Sequence, residues 1–323
     1  MEKQTRIRRR EEARRRTRRQ RQVLVGALVG VVLVGALGAT FLLGDDGGGD
    51  TEAGAVAEGE VPVLPRGGRS IFPERRVVAF YGAPQDRELG ALGATSPARA
   101  ARRLERQARP YAQAGRPVLP AFELITTIVQ ADPGDDGDHS VRQDDRVIRR
   151  YLRAARREKM LLILDIQPGY APFMKEVRAY RRYLKEPDVS LALDPEWSLE
   201  APALPGQAIG STDAATVNEV SAYLSRIVRQ NRLPEKLLVV HRFTNDMIAG
   251  ERTLERPPGV ALTVNVDGFG DRPAKVSKYN EFTSRRREGP HNGFKLFYKE
   301  DTNLMRPAGV LRLRPSPDLI VYE

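Results

Sequence analysis

The sequence predicts an α/β fold: a (β/α)8, TIM-like barrel that follows one N-terminal transmembrane helix. Three observations predict it. A run of 21 residues without a charge, Val23 to Leu43, follows a strongly basic head. Beyond about Arg75, strand-like runs alternate with helix-like stretches, the pattern of a parallel sheet. Eight strand candidates fall within about 250 residues, the usual length of a closed barrel of eight βα units. An open doubly wound sheet is the alternative architecture.

Residues 1–22 read as a basic cytoplasmic segment. They hold eleven Lys and Arg and only three acids, Glu2, Glu11 and Glu12. Residues 23–43 are long enough to span, because about 20 apolar helical residues cross a hydrocarbon core of roughly 30 Å. No Lys or Arg follows until Arg66. The positive-inside rule then leaves the N-terminus in the cytoplasm and the rest of a single-pass chain outside. The run exceeds the apolar region of about 7–15 residues in a cleaved signal peptide, so it is read as a permanent anchor in the cell membrane. The same rule accounts for the arginines, and no nucleic-acid partner is expected. Residues 44–70, rich in Gly, Ala and acids, read as a disordered linker, and residues 71–323 as the extracytoplasmic barrel. The head carries +8 and residues 44–64 carry −6, which leaves +9 on the remainder. A mildly basic exported domain suits an anionic wall polymer.

The chain has no cysteine. Disulfides, thiol nucleophiles, thiolate metal ligands and a lipid-modified cysteine are excluded, so a large apolar core must hold the fold.

The predicted strands are Arg76–Tyr81, Val118–Leu124, Met160–Ile166, Val189–Asp194, Lys236–Arg242, Val260–Val266, Phe294–Tyr298 and Leu319–Tyr322. Ser96 and Pro97 mark a helix start and Gly115 its end. Helical stripes follow at Val147, Ile148, Tyr151, Leu152 and Ala155, at Phe173, Met174, Val177, Tyr180 and Leu184, and at Val217, Val220, Leu224, Ile227 and Val228. In the fourth strand Val189, Leu191 and Leu193 alternate with Ser190, Ala192 and Asp194. In the sixth, Val260, Leu262, Val264 and Val266 alternate with Ala261, Thr263, Asn265 and Asp267. Side chains alternate faces along a strand, so the large set faces the helices and the small or polar set faces the interior. No helix can follow the eighth strand, and another segment must cover that flank.

Barrel sites lie at the C-terminal ends of the strands. Those ends carry Tyr81, Glu123, Asp165, Gln167, Asp194, Glu196, Trp197, His241, Arg242, Asn265, Asp267, Lys295 and Tyr298. So many convergent polar groups are costly to bury without a ligand, solvent or mutual pairing. In Leu193-Asp194-Pro195-Glu196-Trp197, two carboxylates two residues apart both point into the mouth if the strand stays extended. Close carboxylates push one pKa up and leave one proton donor and one anion, the pair that glycoside hydrolysis requires. Trp197, the only tryptophan, offers a face on which a sugar ring can stack.

These residues resemble the glycoside-hydrolase-like barrels, especially the chitinase-like group, whose D-x-E ends the fourth strand. The resemblance implies Glu196 as proton donor and Asp194 as its partner. Ala192 departs from that group's fuller pattern, which has an acid there. The motifs LDPEW, PGQAIGSTDAA, KLLVVHRFT, VDGFG and GFKLFYKEDT are also similar to a set of exported, membrane-anchored bacterial proteins without assigned activity. The expectation is a barrel acting on a cell-envelope glycan or other carbohydrate. Glu196, Asp194 and Asp165 are the catalytic candidates. Tyr81, Glu123, Gln167, Trp197, His241, Asp267, Lys295 and Tyr298 would hold the substrate. No cofactor and no metal is expected. A non-catalytic carbohydrate-binding barrel is the first alternative. The second is a metal-dependent hydrolase using Asp165, Asp194, Glu196, His241 and Asp267, although no H-x-H or H-E-x-x-H spacing is present. Asp132 to Asp138 fails the EF-hand pattern. Pro273 breaks a dinucleotide fingerprint after Gly268 and Gly270. No Walker A or G-x-S-x-G sequence occurs.

Overall fold

The computed structural model describes residues 61–283 and 289–323. The expected cytoplasmic segment, the transmembrane run and linker residues 44–60 lie outside the described residues. Among the described residues no helix is long and apolar enough to cross a membrane.

Eight parallel strands follow one another around a barrel. They are β1 Arg76–Gly82, β2 Val118–Val129, β3 Leu161–Ile166, β4 Val189–Leu193, β5 Lys236–Arg242, β6 Val260–Val266, β7 His291–Leu296 and β8 Leu319–Tyr322. Each pairs with the next, and β8 returns to β1, where Val77 lies between Leu319 and Leu119. That closure excludes the open sheet. All eight predicted runs are barrel strands, and β5, β6 and β8 keep their predicted bounds. β7 does not. It starts at His291, in register with Thr263 of β6, and ends at Leu296. The chain then turns, and Asp301 accepts the Phe297 N–H at 3.0 Å.

Period-two patterning sorts the side chains into two cores. Val189, Leu191, Leu193, Val260, Leu262, Val264 and Val266 join the helix-facing cluster, while Ala192 and Ala261 lie in the barrel interior with Val77, Ala79, Leu237 and Val239. Both layers are as predicted, because large aliphatics fill the wide outer layer and small ones the narrow interior.

The helices are α1 Pro97–Ala108, α2 Asp145–Arg157, α3 Phe173–Ala179, α4 Arg181–Leu184, α5 Ala214–Gln230, α6 Arg272–Thr283 and α7 Pro307–Leu311. The three predicted stripes fall on α2, on α3 with α4, and on α5. Asp144 and Asp213 cap α2 and α5 by accepting the N–H groups of Arg146 and Thr216, both at 2.7 Å. α1 ends before Gly115 because Pro110 has no N–H to continue the ladder, and Arg109–Tyr111 form a 3-10 turn. Between β5 and β6 there is no α-helix, only the two-residue strand Ile248–Ala249 and the 3-10 turn Glu251–Thr253. The outer flank of β8 is covered by that first turn: the hydroxyls of Tyr111 and Tyr322 meet at 2.5 Å, and α7 packs against the turn.

Leu64, Ile71 and Phe72 close the floor at the N-terminal strand ends. Arg69 donates to the carbonyls of Arg232 and Leu233. The Ile71 N–H donates to the Glu235 carboxylate at 2.6 Å, and Phe72 packs on His291. Residues 61–70, assigned above to a disordered linker, are therefore built into the barrel. Leu64 of this segment fills the floor with Ile71 and Phe72, which follow it, and that burial outweighs the loop-like composition.

Candidate functional site

Polar residues line the interior toward the C-terminal face: Tyr81 on β1, Glu123 within β2, Asp165 on β3, Asp194 just after β4, His241 on β5, Asn265 on β6 with Asp267 just after it, and Lys295 on β7. Glu323 follows β8. Strand registers fix their heights: Tyr81 is level with Glu123, His241 with Asn265, and Asp165 with Ala192, one inward position below Asp194.

His241 is the hub. Its ring is buried, with Nδ1 3.0 Å from Asp267 Oδ2 and Nε2 3.1 Å from Glu123 Oε1 and 3.7 Å from Asp165 Oδ1. Burial alone lowers an imidazole pKa, but the hydrogen bonds to Asp267 and Glu123 outweigh it and hold His241 well above its ordinary value. Asp267 accepts from Lys295 Nζ at 3.1 Å and from the Gly268 N–H. Burial works against its charge, but Lys295 and His241 prevail and keep its pKa low. Lys295 also pairs with Glu323 at 2.7 Å and lies 3.8 Å from the centre of the Tyr81 ring. Tyr81 receives a hydrogen bond from Gln167 at 3.1 Å and donates to Asp165 Oδ2 at 3.1 Å.

Asn265 fits beside this hub because residue 293 on the neighbouring strand is glycine. A Cβ there would stand 2.5 Å from Asn265 Oδ1 and 2.9 Å from its Cα. Asn265 Nδ2 reaches to 3.4 Å from His241 Nδ1.

The carboxyls are mostly pushed toward their neutral form. Asp165 is raised well above the ordinary range by burial, then by Asp194. Asp194 is raised by burial, which His241 and Lys295 partly offset. Glu196 is raised well above by burial, then by the charges on Asp194 and Asp267.

The local geometry of Glu196 differs from the expectation. β4 ends at Leu193, and Pro195–Trp197 form a 3-10 turn rather than extended strand. Proline fixes φ near the helical value and favours that turn. Asp194 stays in the buried ring, while Glu196 and Trp197 stand partly exposed on the turn above it. The loop behind holds the turn in place, with the Gly210 N–H donating to the Glu196 carbonyl at 2.7 Å.

Tyr81, Glu123, Asp165, Gln167, Asp194, His241, Asp267 and Lys295 are thus brought together, with Glu196 and Trp197 at the rim. Tyr298 is not among them. Because β7 ends at Leu296, Tyr298 lies outside the ring, stacked on Tyr322, under Arg103 and bonded to Gln107. It borders a recess of about 140 Å³ beside Glu323. Glu323 is a site residue missed by the sequence reading, and Asn265, named at a strand end, was not carried into the candidates. The strand-end rule that found the others applies to both, since Glu323 directly follows β8 and Asn265 lies on the inward face of β6.

Compared with known proteins, the chain matches no family model and no curated protein. The barrel is therefore established as a fold, and the likeness to chitinase-like enzymes rests on the strand-end motif.

Proposed function

We propose that this chain is a membrane-anchored, extracytoplasmic, glycoside-hydrolase-like barrel acting on a cell-envelope or environmental glycan. The observation that carries the reading is Glu196. It stands at the mouth of a closed parallel barrel beside Asp194, and its carboxyl holds its proton above the usual range. A carboxyl that keeps its proton to higher pH than usual is what protonation of a glycosidic oxygen needs. Asp194 is raised less far, because His241 and Lys295 partly offset its burial, and it is the member of the pair assigned to the anion. Asp165 and Tyr81 sit behind it, and the partly exposed Trp197 offers a sugar-stacking face on the same turn. The uncharged run Val23 to Leu43 and its basic head support the anchor and its orientation.

The test incubates the purified full chain with envelope glycans and measures released reducing ends, beside Glu196→Gln. Release that falls at least ~100-fold in the variant, the scale of lost general-acid catalysis, supports the assignment. No release from any glycan, or equal release by both proteins, removes it. Glycan binding without release would leave the non-catalytic barrel in its place.

A further inference from the structure

The floor of the carboxylate ring holds more acceptors than donors. The strand ends and the turn after β4 carry six carboxyl side chains: Glu123, Asp165, Asp194, Glu196, Asp267 and Glu323. Two cationic side chains, His241 and Lys295, face them. Lys295 is taken up by Asp267 and Glu323. The single Tyr81 proton goes to Asp165 Oδ2. Glu123 Oε2 and Asp165 Oδ1 are then fully buried and make no hydrogen bond among the described residues. Unpaired buried oxygens of this kind carry a desolvation cost of about 1–3 kcal/mol each, more when charged.

We propose that Glu123, Asp165 and His241 form a binding site for one divalent transition-metal ion of the zinc type. Their ligand atoms all lie within 4.8 Å of one another. The separations are 3.1 Å from His241 Nε2 to Glu123 and 3.7 Å to Asp165. Donors about 2.0–2.2 Å from a tetrahedral zinc ion stand roughly 3.4 Å apart, midway between these values. An ammonium group needs donor–acceptor distances of about 2.7–2.9 Å, and so a wider cage. The imidazole favours zinc over magnesium or calcium. The surroundings of the histidine fit as well. Nδ1 is held by Asp267, so Nε2 faces the cage, which is the carboxylate–histidine–metal arrangement. Through Nε2 an imidazolium serves Glu123 Oε1 but not Asp165, whereas a metal ion there would serve both carboxylates. Three protein ligands leave a position for water or a substrate oxygen. The site lies one inward position below Asp194 and is independent of the role proposed for Glu196.

The test strips the full chain with chelator, titrates Zn²⁺ by calorimetry and counts bound metal after gel filtration. One ion per chain is expected. Glu123→Gln, Asp165→Asn and His241→Gln should each weaken binding at least ~100-fold, and Asp267→Asn, a positioning residue, by ~10–100-fold. Glu196→Gln should bind as the wild type does, whether or not it loses glycan release, which keeps the two proposals separable. Circular dichroism checks that each variant folds. If the ligand variants do not fold, Co²⁺ added to the native chain decides: intense visible bands of a four- or five-coordinate ion support the site, and the weak spectrum of the hydrated ion overturns it. Absence of saturable Zn²⁺ binding, or binding indifferent to the ligand variants, also overturns it.

Discussion

Lys295 shows what single residues do in this barrel. Its ammonium joins two carboxylates, Asp267 and Glu323, and covers the face of Tyr81. Asp267 in turn orients His241. Removing one partner of a buried ion pair leaves an uncompensated charge and costs about 3–5 kcal/mol. Lys295→Met is expected to lose that much in urea unfolding, and a loss below about 1 kcal/mol, the ceiling for exposed pairs, would show that the ammonium is solvated. Residue identities at the site were largely legible in the sequence, because the ends of alternating strands carried charge where apolar residues are the rule. Two things were not. Tyr298 was assigned to the mouth together with Lys295, but the two are three residues apart, and an odd step puts Tyr298 with Phe294 and Leu296 in the outer cluster. Glu196 was placed on extended strand, where Pro195 instead starts a 3-10 turn. The pairing of His241 with both Glu123 and Asp267 joins residues 118 and 26 positions apart, and no local pattern encodes such distances.

At the scale of elements, the junction of β6 and β7 depends on one missing side chain. Gly293 lets the Asn265 side chain lie against the β7 backbone. Gly293→Ala places a methyl group into Asn265, and overpacking of this kind costs about 1–3 kcal/mol. A lowered urea midpoint with an unchanged m-value is expected; an unchanged midpoint would mean that β7 yields at no cost. The eight strands were readable because β-branched and aliphatic runs of four to eight residues are bounded by Gly, Pro and charge. The helical stripes were readable for the same reason. The missing helix between β5 and β6 and the cover of β8 by Tyr111 were not, because both are set by contacts between distant segments.

At the scale of the whole molecule, the buried carboxyls set how stability depends on pH. Asp165, Asp194, Glu196 and Glu323 all have pKa values raised by burial. A raised carboxyl means that the folded chain keeps a proton which the unfolded chain releases. The associated stability is fully present below the unfolded carboxylate pKa and is lost as pH rises toward the folded value. Asp318, lowered by His291 and Arg116 against the effect of burial, acts in the opposite direction and loses its contribution as pH falls. Replacing the Glu196 carboxyl by an amide should therefore stabilise the metal-stripped chain near neutral pH, while removing the proton donor of the proposed reaction. Glu196→Gln is expected to raise Tm by a few degrees at about pH 7, where ~1 kcal/mol corresponds to ~2–4 °C at this size, and to change it little at about pH 4. A melting curve shifted equally at both pH values would place the effect in packing rather than charge. The floor has a directional consequence. The chain enters the barrel through Leu64, Ile71 and Phe72, at the end opposite the carboxylate ring. An anchor ahead of Val61 would thus hold the barrel by its base, like a cup on a stem, with the open rim turned away from the bilayer.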